Sequence, residues 1–485
     1  MIKLLQTCRK ICPYSSIRRS FYSSRYNGRP YRDLFSERKE PFGKMPKEGT
    51  QDIWKNLSPA TLENYLNTSL SYQKSEESNK LDLATDVLLD ENGNPFVFES
   101  VLKAQERISP QAIFSTESSI LGDQEFLDCA LELAYGSEIY QREHIAAVET
   151  VGGTSALRTA FEFISRCFIS LDGQKPRVYV PNMTWPNHKD IIRSAGLKMR
   201  DYRSYRKNLQ GVDLKSCLSD LFRATKGSVA LLQASGQNPT GMHMKAAFYL
   251  LVIECTHLGT DFLPEQWQEL SQILKDRKYL CVVDMAHQGL VHGNIDTDAL
   301  GLRQLIQDGH QVIVCQSLSK SFSLQGNAIG TLSVVTSNQQ EKESVWSHLR
   351  SLTHSMYCHV PNYGRLIVKT ILLNEELRNE WIEESRKLVE RIQETRQALH
   401  DKLVSLDTPV DWSFLLQQKG MFLFTALEIE QVEQLRKGYG IYLQPDGRLN
   451  LGALRMSQVE RVATSIQKVI HIKETQVKEK EAEEE

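Results

Sequence analysis

The chain has 485 residues, 41% of them hydrophobic and 24% charged, with a formal net charge of -2. That composition suits a globular protein long enough for more than one core, and so small a charge gives no electrostatic reason to expect nucleic acid or an acidic membrane surface as a partner. The nine cysteines fall in no CxxC pair or Cys/His cluster of zinc spacing, so no metal site is expected, and the longest apolar run, 246–255, is far short of the roughly 18 residues of a membrane span.

Residues 1–32 carry Lys3, Arg9, Lys10, Arg18, Arg19, Arg25, Arg29 and Arg32 and no acid, with serine and tyrosine between them. A basic, acid-free, serine-rich leader has the composition of a mitochondrial transit peptide, so a matrix location is expected. A basic tail for an anionic partner, or chloroplast import, fits the same composition. From about residue 57 to 472, short apolar runs alternate with amphipathic stretches. Strands are predicted at 177–180, 229–234, 280–285, 312–317 and 330–335, where β-branched residues are bounded by polar residues or glycine. Helices are predicted between several of them, for example at 155–168 and 266–275. Strands alternating with helices argue an α/β fold with a mainly parallel sheet. The charged, amphipathic stretch 377–403 reads as one extended helix, suited to connect the sheet to a smaller C-terminal part. The tail from Lys473, almost without apolar residues, is expected to be frayed or solvated.

Chemistry-bearing residues sit at the exits of these strands. Val151-Gly152-Gly153-Thr154 leads into a helical pattern, so backbone amides and the Thr154 hydroxyl could hold an anion, although such a start is more often only a cap. Gln237-Asn238-Pro239-Thr240-Gly241 follows the strand at 229; a polar turn explains it, or an amide side chain placed where ligands of open α/β sheets bind. Asp284 ends the apolar strand Cys281-Val282-Val283. A buried acid needs a partner: a turn cap would do, and so would the protonated nitrogen of a pyridine ring. A helicase reading of Asp284 and His287 fails because the chain has no GxxxxGK[ST] loop. Lys320, in Ser317-Leu318-Ser319-Lys320-Ser321, follows another buried strand. Partial desolvation there would lower the pKa of its amine and suit it to form an imine with an aldehyde, whereas most lysines in such places are surface residues.

The motifs GGTSALR, PNMTWPNH, QNPTG, DMAHQG, SLSK, GMF and GRLNLGAL stand in this order over about residues 54–472. In that order and spacing the chain resembles the aspartate aminotransferase subgroup of fold-type I pyridoxal-phosphate enzymes. The resemblance implies a large cofactor-binding α/β domain over 96–383, with a seven-stranded, mainly parallel sheet between helices. A smaller α/β domain would be formed by 54–95 and 384–472, with a charged tail at 473–485. It implies that Lys320 holds pyridoxal 5'-phosphate and then moves the substrate proton, that Asp284 pairs with the pyridine nitrogen, and that Trp185 stacks on the ring; these three are the expected catalytic set. Asn238 and His287 would bond the phenolic oxygen, the latter in place of a tyrosine. Gly153, Thr154 and Ser317 would hold the phosphate, and His188 would support Asp284. Arg448 would clamp the substrate α-carboxylate as a planar fork. Arg350, from a neighbouring subunit, falls near the arginine that reads a distal carboxylate, so a homodimer with shared active sites is implied.

Some positions depart from that pattern. Ala328 stands where an arginine would meet the phosphate, and Glu117 where a tyrosine would reach it from the other subunit. Asp86 replaces a glycine of the carboxylate pocket, where it could crowd the substrate or compete for Arg448. Residues 242–262 form an insert. The expected activity is transamination between an amino acid, L-aspartate or L-glutamate, and a 2-oxo acid, 2-oxoglutarate or oxaloacetate. The alternative is a catalytically impaired descendant with a binding or structural role.

Overall fold

The computed structural model describes residues 25–26, 29–30, 57–58, 64–108, 122–140, 142–206, 211–237, 264–406 and 408–484. Two compact units are distinguished, Met1–Thr61 and Leu62–Glu485. Of the leader expected over residues 1–32, only two short strands are described, Arg25–Tyr26 and Arg29–Pro30, paired antiparallel; the rest lies outside the described residues.

The second unit is built on seven strands: β1 Ile145–Val151, β2 Arg177–Pro181, β3 Lys198–Tyr202, β4 Val229–Gln233, β5 Leu280–Met285, β6 Val312–Ser317 and β7 Ile329–Val335. Their spatial order is β1-β7-β6-β5-β4-β2-β3. β7 is antiparallel to both of its neighbours, so β1 runs the same way as β6, and all the other pairings are parallel. The five predicted strands are all present, in the expected α/β arrangement. Parallel strands buried on both faces need apolar residues at successive positions. Accordingly Val229, Leu231, Val282 and Ile313 enter one core, while Ala230, Leu232, Cys281, Val283 and Val312 enter the core on the opposite face.

The helices that matter for the site are α1 Gln124–Tyr135, α2 Gly152–Cys167, α3 Pro186–Ser194, α4 Pro264–Asp276, α5 Gln339–Tyr357, α6 Asn362–Leu373 and α7 Glu375–Ser405. α7 is the extended helix read at 377–403. It starts where the Asn374 side chain accepts the Leu377 N–H at 2.9 Å, with Glu375 and Glu376 at the positive end of its dipole. Its 31 residues reach about 46 Å. Leu377, Trp381, Leu388, Ile392, Leu399 and Leu403 make a buried stripe at intervals of four and seven, the spacing of one helix face. Trp381 stacks on Phe322 with centroids 4.3 Å apart and donates its indole N–H to the Ser321 carbonyl at 2.8 Å. The segment just after Lys320 is thereby tied to α7.

Chain segments from both ends of this unit also pair with one another. Leu81–Asp82 pairs parallel with Ile441–Tyr442, and β8 Phe422–Phe424 pairs antiparallel with β9 Arg448–Asn450. Beyond Lys473 the backbone is helical, within Val459–Glu484, where a frayed end was expected. The stretch is rich in lysine and glutamate and lacks glycine and proline, so nothing stops the helix there.

Candidate active site

Four strands of the same direction deliver polar groups at their carboxyl ends, where open α/β sheets bind ligands. Cys315 of β6 lies opposite Asp284 of β5, and the chain leaving β6 reaches Lys320 five residues on. Lys320 Nζ lies 3.4 Å from His287 Nε2 and 3.5 Å from Asp86 Oδ2. The Phe422 ring closes the group: Lys320 Nζ sits 5.6 Å and the Arg448 guanidinium 4.6 Å from its centroid, both within cation–π range. His287 packs edge-on against the same ring at 5.9 Å. Phe422 belongs to the GMF motif yet had no role assigned from sequence.

Asp284 is buried and is held from below. His188 Nε2 lies 3.1 Å from Asp284 Oδ2, and His188 Nδ1 lies 2.8 Å from the Thr184 hydroxyl. A carboxylate can only accept, so Nε2 carries the hydrogen and, in the neutral ring, the Thr184 hydroxyl donates to Nδ1. Thr184 ends the turn before α3, and Trp185, its neighbour, meets the His188 ring edge-on at 5.3 Å. One short turn thus sets both the support of Asp284 and the half-buried indole.

His287 is enclosed. Burial, followed by the Lys320 charge, lowers its pKa from 6.5 to about 3, against the attraction of Asp284 and Asp86. The imidazole is therefore neutral at physiological pH, with one N–H to donate. Its neighbour Gly236 has φ +62°, and a Cβ there would fall 3.4 Å from His287 Nδ1 and 2.8 Å from the Val291 side chain. Only glycine suits both that backbone and that contact. Burial opposes ionisation of Asp86, but Lys320, Arg448 and His287 together hold its carboxyl below the usual range. Asp86 makes its direct ion pair with Lys320, and the Arg448 charge also acts on it.

The start of α2 packs on the end of β6: a Cβ on Gly153 would lie 2.8 Å from Ser317 Cβ. That close approach brings the first amides of α2, exposed Thr154 and half-buried Ser317 together, with no acid in the first turn to compete for an anion. Ala328, in the left-handed region at φ +48°, abuts Gly152. The position expected to carry an arginine is therefore beside this anion site.

Arg448 leads β9 and is buried. Arg350 is elsewhere: its guanidinium lies 4.7 Å over the Trp346 ring, one turn back on α5. Asn238, Glu117 and the insert at 242–262 lie outside the described residues. Among the described residues no group of three or more His, Cys, Asp or Glu side chains could hold a metal ion, and no helix is long and apolar enough to cross a membrane.

Residues 78–466 match the family model described as aminotransferase class I and II. The mitochondrial aspartate aminotransferase of Dictyostelium discoideum is 34% identical over 85% of this chain and 92% of its own length. A solved mitochondrial aspartate aminotransferase from Trypanosoma brucei superposes with a TM-score of 0.73 at 31% identity, over 83% of this chain and 99% of that one. An aromatic-amino-acid aminotransferase from Burkholderia pseudomallei, solved covalently bound to pyridoxal phosphate, gives a TM-score of 0.76 at 26% identity, over 86% and 99%.

Proposed function

The chain belongs to the aminotransferase class I and II family, and from that premise we propose that it exchanges an amino group between L-aspartate or L-glutamate and 2-oxoglutarate or oxaloacetate, with pyridoxal 5'-phosphate as cofactor. The observation that carries the reading is the convergence of Lys320 and Asp284. They leave adjacent parallel strands at the same end, and the enclosed His287 feels the charge of both. An amine, a supported carboxylate, a flanking indole and a helix start open to an anion match an aldehyde-bearing, phosphorylated pyridine. When bound, that cofactor supplies a conjugated ring that takes up the electron pair left on the substrate Cα.

This chain's residues would do the rest. Lys320 Nζ would hold the cofactor aldehyde and, once the substrate amine had displaced it, would take the Cα proton and return it. Asp284, fixed by His188, would keep a proton on the ring nitrogen. Trp185 would stack on the ring, His287 would donate to its phenolic oxygen together with Asn238, and the α2 amides, Gly153, Thr154 and Ser317 would bind its phosphate. Arg448 would take the substrate α-carboxylate through two parallel N–H donors, orienting the Cα–H bond so that deprotonation is selected. Arg350 would read a distal carboxylate from a second copy of the chain, in a homodimer with shared sites. The basic leader, together with the mitochondrial relative, supports action in the mitochondrial matrix.

The test is a visible spectrum. Protein incubated with pyridoxal phosphate should gain an absorption band that L-aspartate bleaches and that Lys320→Ala abolishes. A wild-type protein with no band at saturating cofactor would overturn the reading, and bleaching by a neutral or aromatic amino acid in strong preference to aspartate would overturn the choice of donor.

A further inference from the structure

One side chain at the centre of the site is unexplained by the machinery above. Asp86 sits in a loop strapped to the strand that carries Arg448. The Asn450 side-chain amide donates to the carbonyls of Thr85 and Val87 at 3.0 and 2.8 Å, and that of Gln444 donates to the Ala84 carbonyl at 2.8 Å. Asn450 N donates to the Leu83 carbonyl at 2.8 Å. Asn450 and Gln444 flank Arg448 in sequence, so the loop anion and the strand cation are held in fixed relation. Asp86 Oδ2 faces Lys320 Nζ at 3.5 Å. Asp86 Oδ1 is enclosed and has no hydrogen-bond partner among the described residues. An enclosed, ionised oxygen with unused lone pairs, beside the lysine that reacts, is an acceptor waiting for a donor.

We propose that Asp86 reads the charge of the incoming substrate while the cofactor is in its aldehyde form, receiving the ammonium group of an amino acid and disfavouring a ligand that brings carboxylates alone. The inference rests on the aminotransferase reading of the site. An amino acid is a zwitterion: its carboxylate suits Arg448, and its ammonium suits the free oxygen of Asp86 next to the nitrogen it must displace. A 2-oxo acid or a dicarboxylate offers Asp86 only like charge. The same side chain therefore raises affinity for the amino donor and lowers affinity for the oxo acid, biasing the site toward amino acids. A glycine at this position would do neither.

The experiment uses the full chain loaded with pyridoxal phosphate, as wild type, Asp86→Asn and Asp86→Gly. Two quantities are read: KM for L-aspartate, and the dissociation constant of succinate, an unreactive dicarboxylate without an amine, measured by calorimetry. Loss of one charge-assisted contact should raise the first about tenfold, and loss of one repulsion should lower the second by about the same factor. Opposite movement is the signature, since damage to the pocket would weaken both ligands. Parallel movement, or no movement, overturns the role of Asp86 while leaving the enzyme reading intact. Absence of a cofactor band in wild type overturns both. Should Asp86→Asn fail to fold, Asp86→Gly is read in the same way.

Discussion

His188 and Asp284 form a buried contact, Nε2 to Oδ2 at 3.1 Å, whose far end is closed by the Thr184 hydroxyl. The pair spans two elements, the first turns of α3 and the end of β5, so it joins local structure to the chemistry of the site. Replacing the imidazole by a ring of similar size that cannot donate, His188→Phe, strands a carboxylate oxygen away from water. The expected loss of unfolding free energy is about 1–3 kcal/mol, with a smaller loss for Thr184→Val, both read by urea denaturation. Stability unchanged in both variants would mean that the contact carries no weight.

Ala328 abuts the anion site at the start of α2 but offers it no charge. Ala328→Arg should add a guanidinium there, and a charged hydrogen bond of about 1.5–3 kcal/mol corresponds to at least tenfold tighter cofactor binding. Titration of the visible band with pyridoxal phosphate measures it. Unchanged affinity would show that another cation already fills the role.

His287 ties stability to pH. Its pKa is about 3 in the folded protein against 6.5 in the unfolded chain. Between these values the unfolded state binds the proton and the native state does not, so stability falls as pH drops from about 6.5 toward 3. Between pH 7 and pH 5 the loss from this group is about 2 kcal/mol. Urea unfolding at those two pH values should show the drop in wild type and a smaller one in His287→Gln. Equal slopes would remove His287 from the account.

Legibility in the sequence followed burial. The five strands foreseen are central and apolar at successive positions, whereas β3 at the sheet edge, Lys-Met-Arg-Asp-Tyr, buries fully only Tyr202 and gives no such run. β1 is buried along most of its length, but Ala146 and Ala147 dilute its β-branched signal. Lys320, Asp284 and His188 were readable because short motifs set them at strand exits and turns. The ion pair of Lys320 with Asp86 and the sharing of the Phe422 ring were not, because each joins segments far apart in the chain. No local pattern reports which side chains a fold brings together over such separations.

The same holds for Glu149 and Arg365. Glu149 lies on β1, two residues before the turn into α2, and Arg365 lies in the first turn of α6. Arg365 Nη1 reaches both Glu149 oxygens, at 3.2 and 3.3 Å. Both side chains are buried, and Glu149 also accepts the Asp123 backbone N–H. Burial raises the Glu149 carboxyl above its ordinary range, and the Arg365 charge only partly offsets this. Removing Arg365 takes from Glu149 the cation that faces it, in a place water does not reach. Arg365→Met should therefore cost about 3–5 kcal/mol, whereas Glu149→Gln with Arg365→Met should recover most of that loss, because a buried ion pair gains little over neutral groups that pack as well. Urea denaturation of the two single variants and the double variant measures the coupling. Additive losses would mean that the two side chains act independently, and that the turn into α2 is held by packing alone.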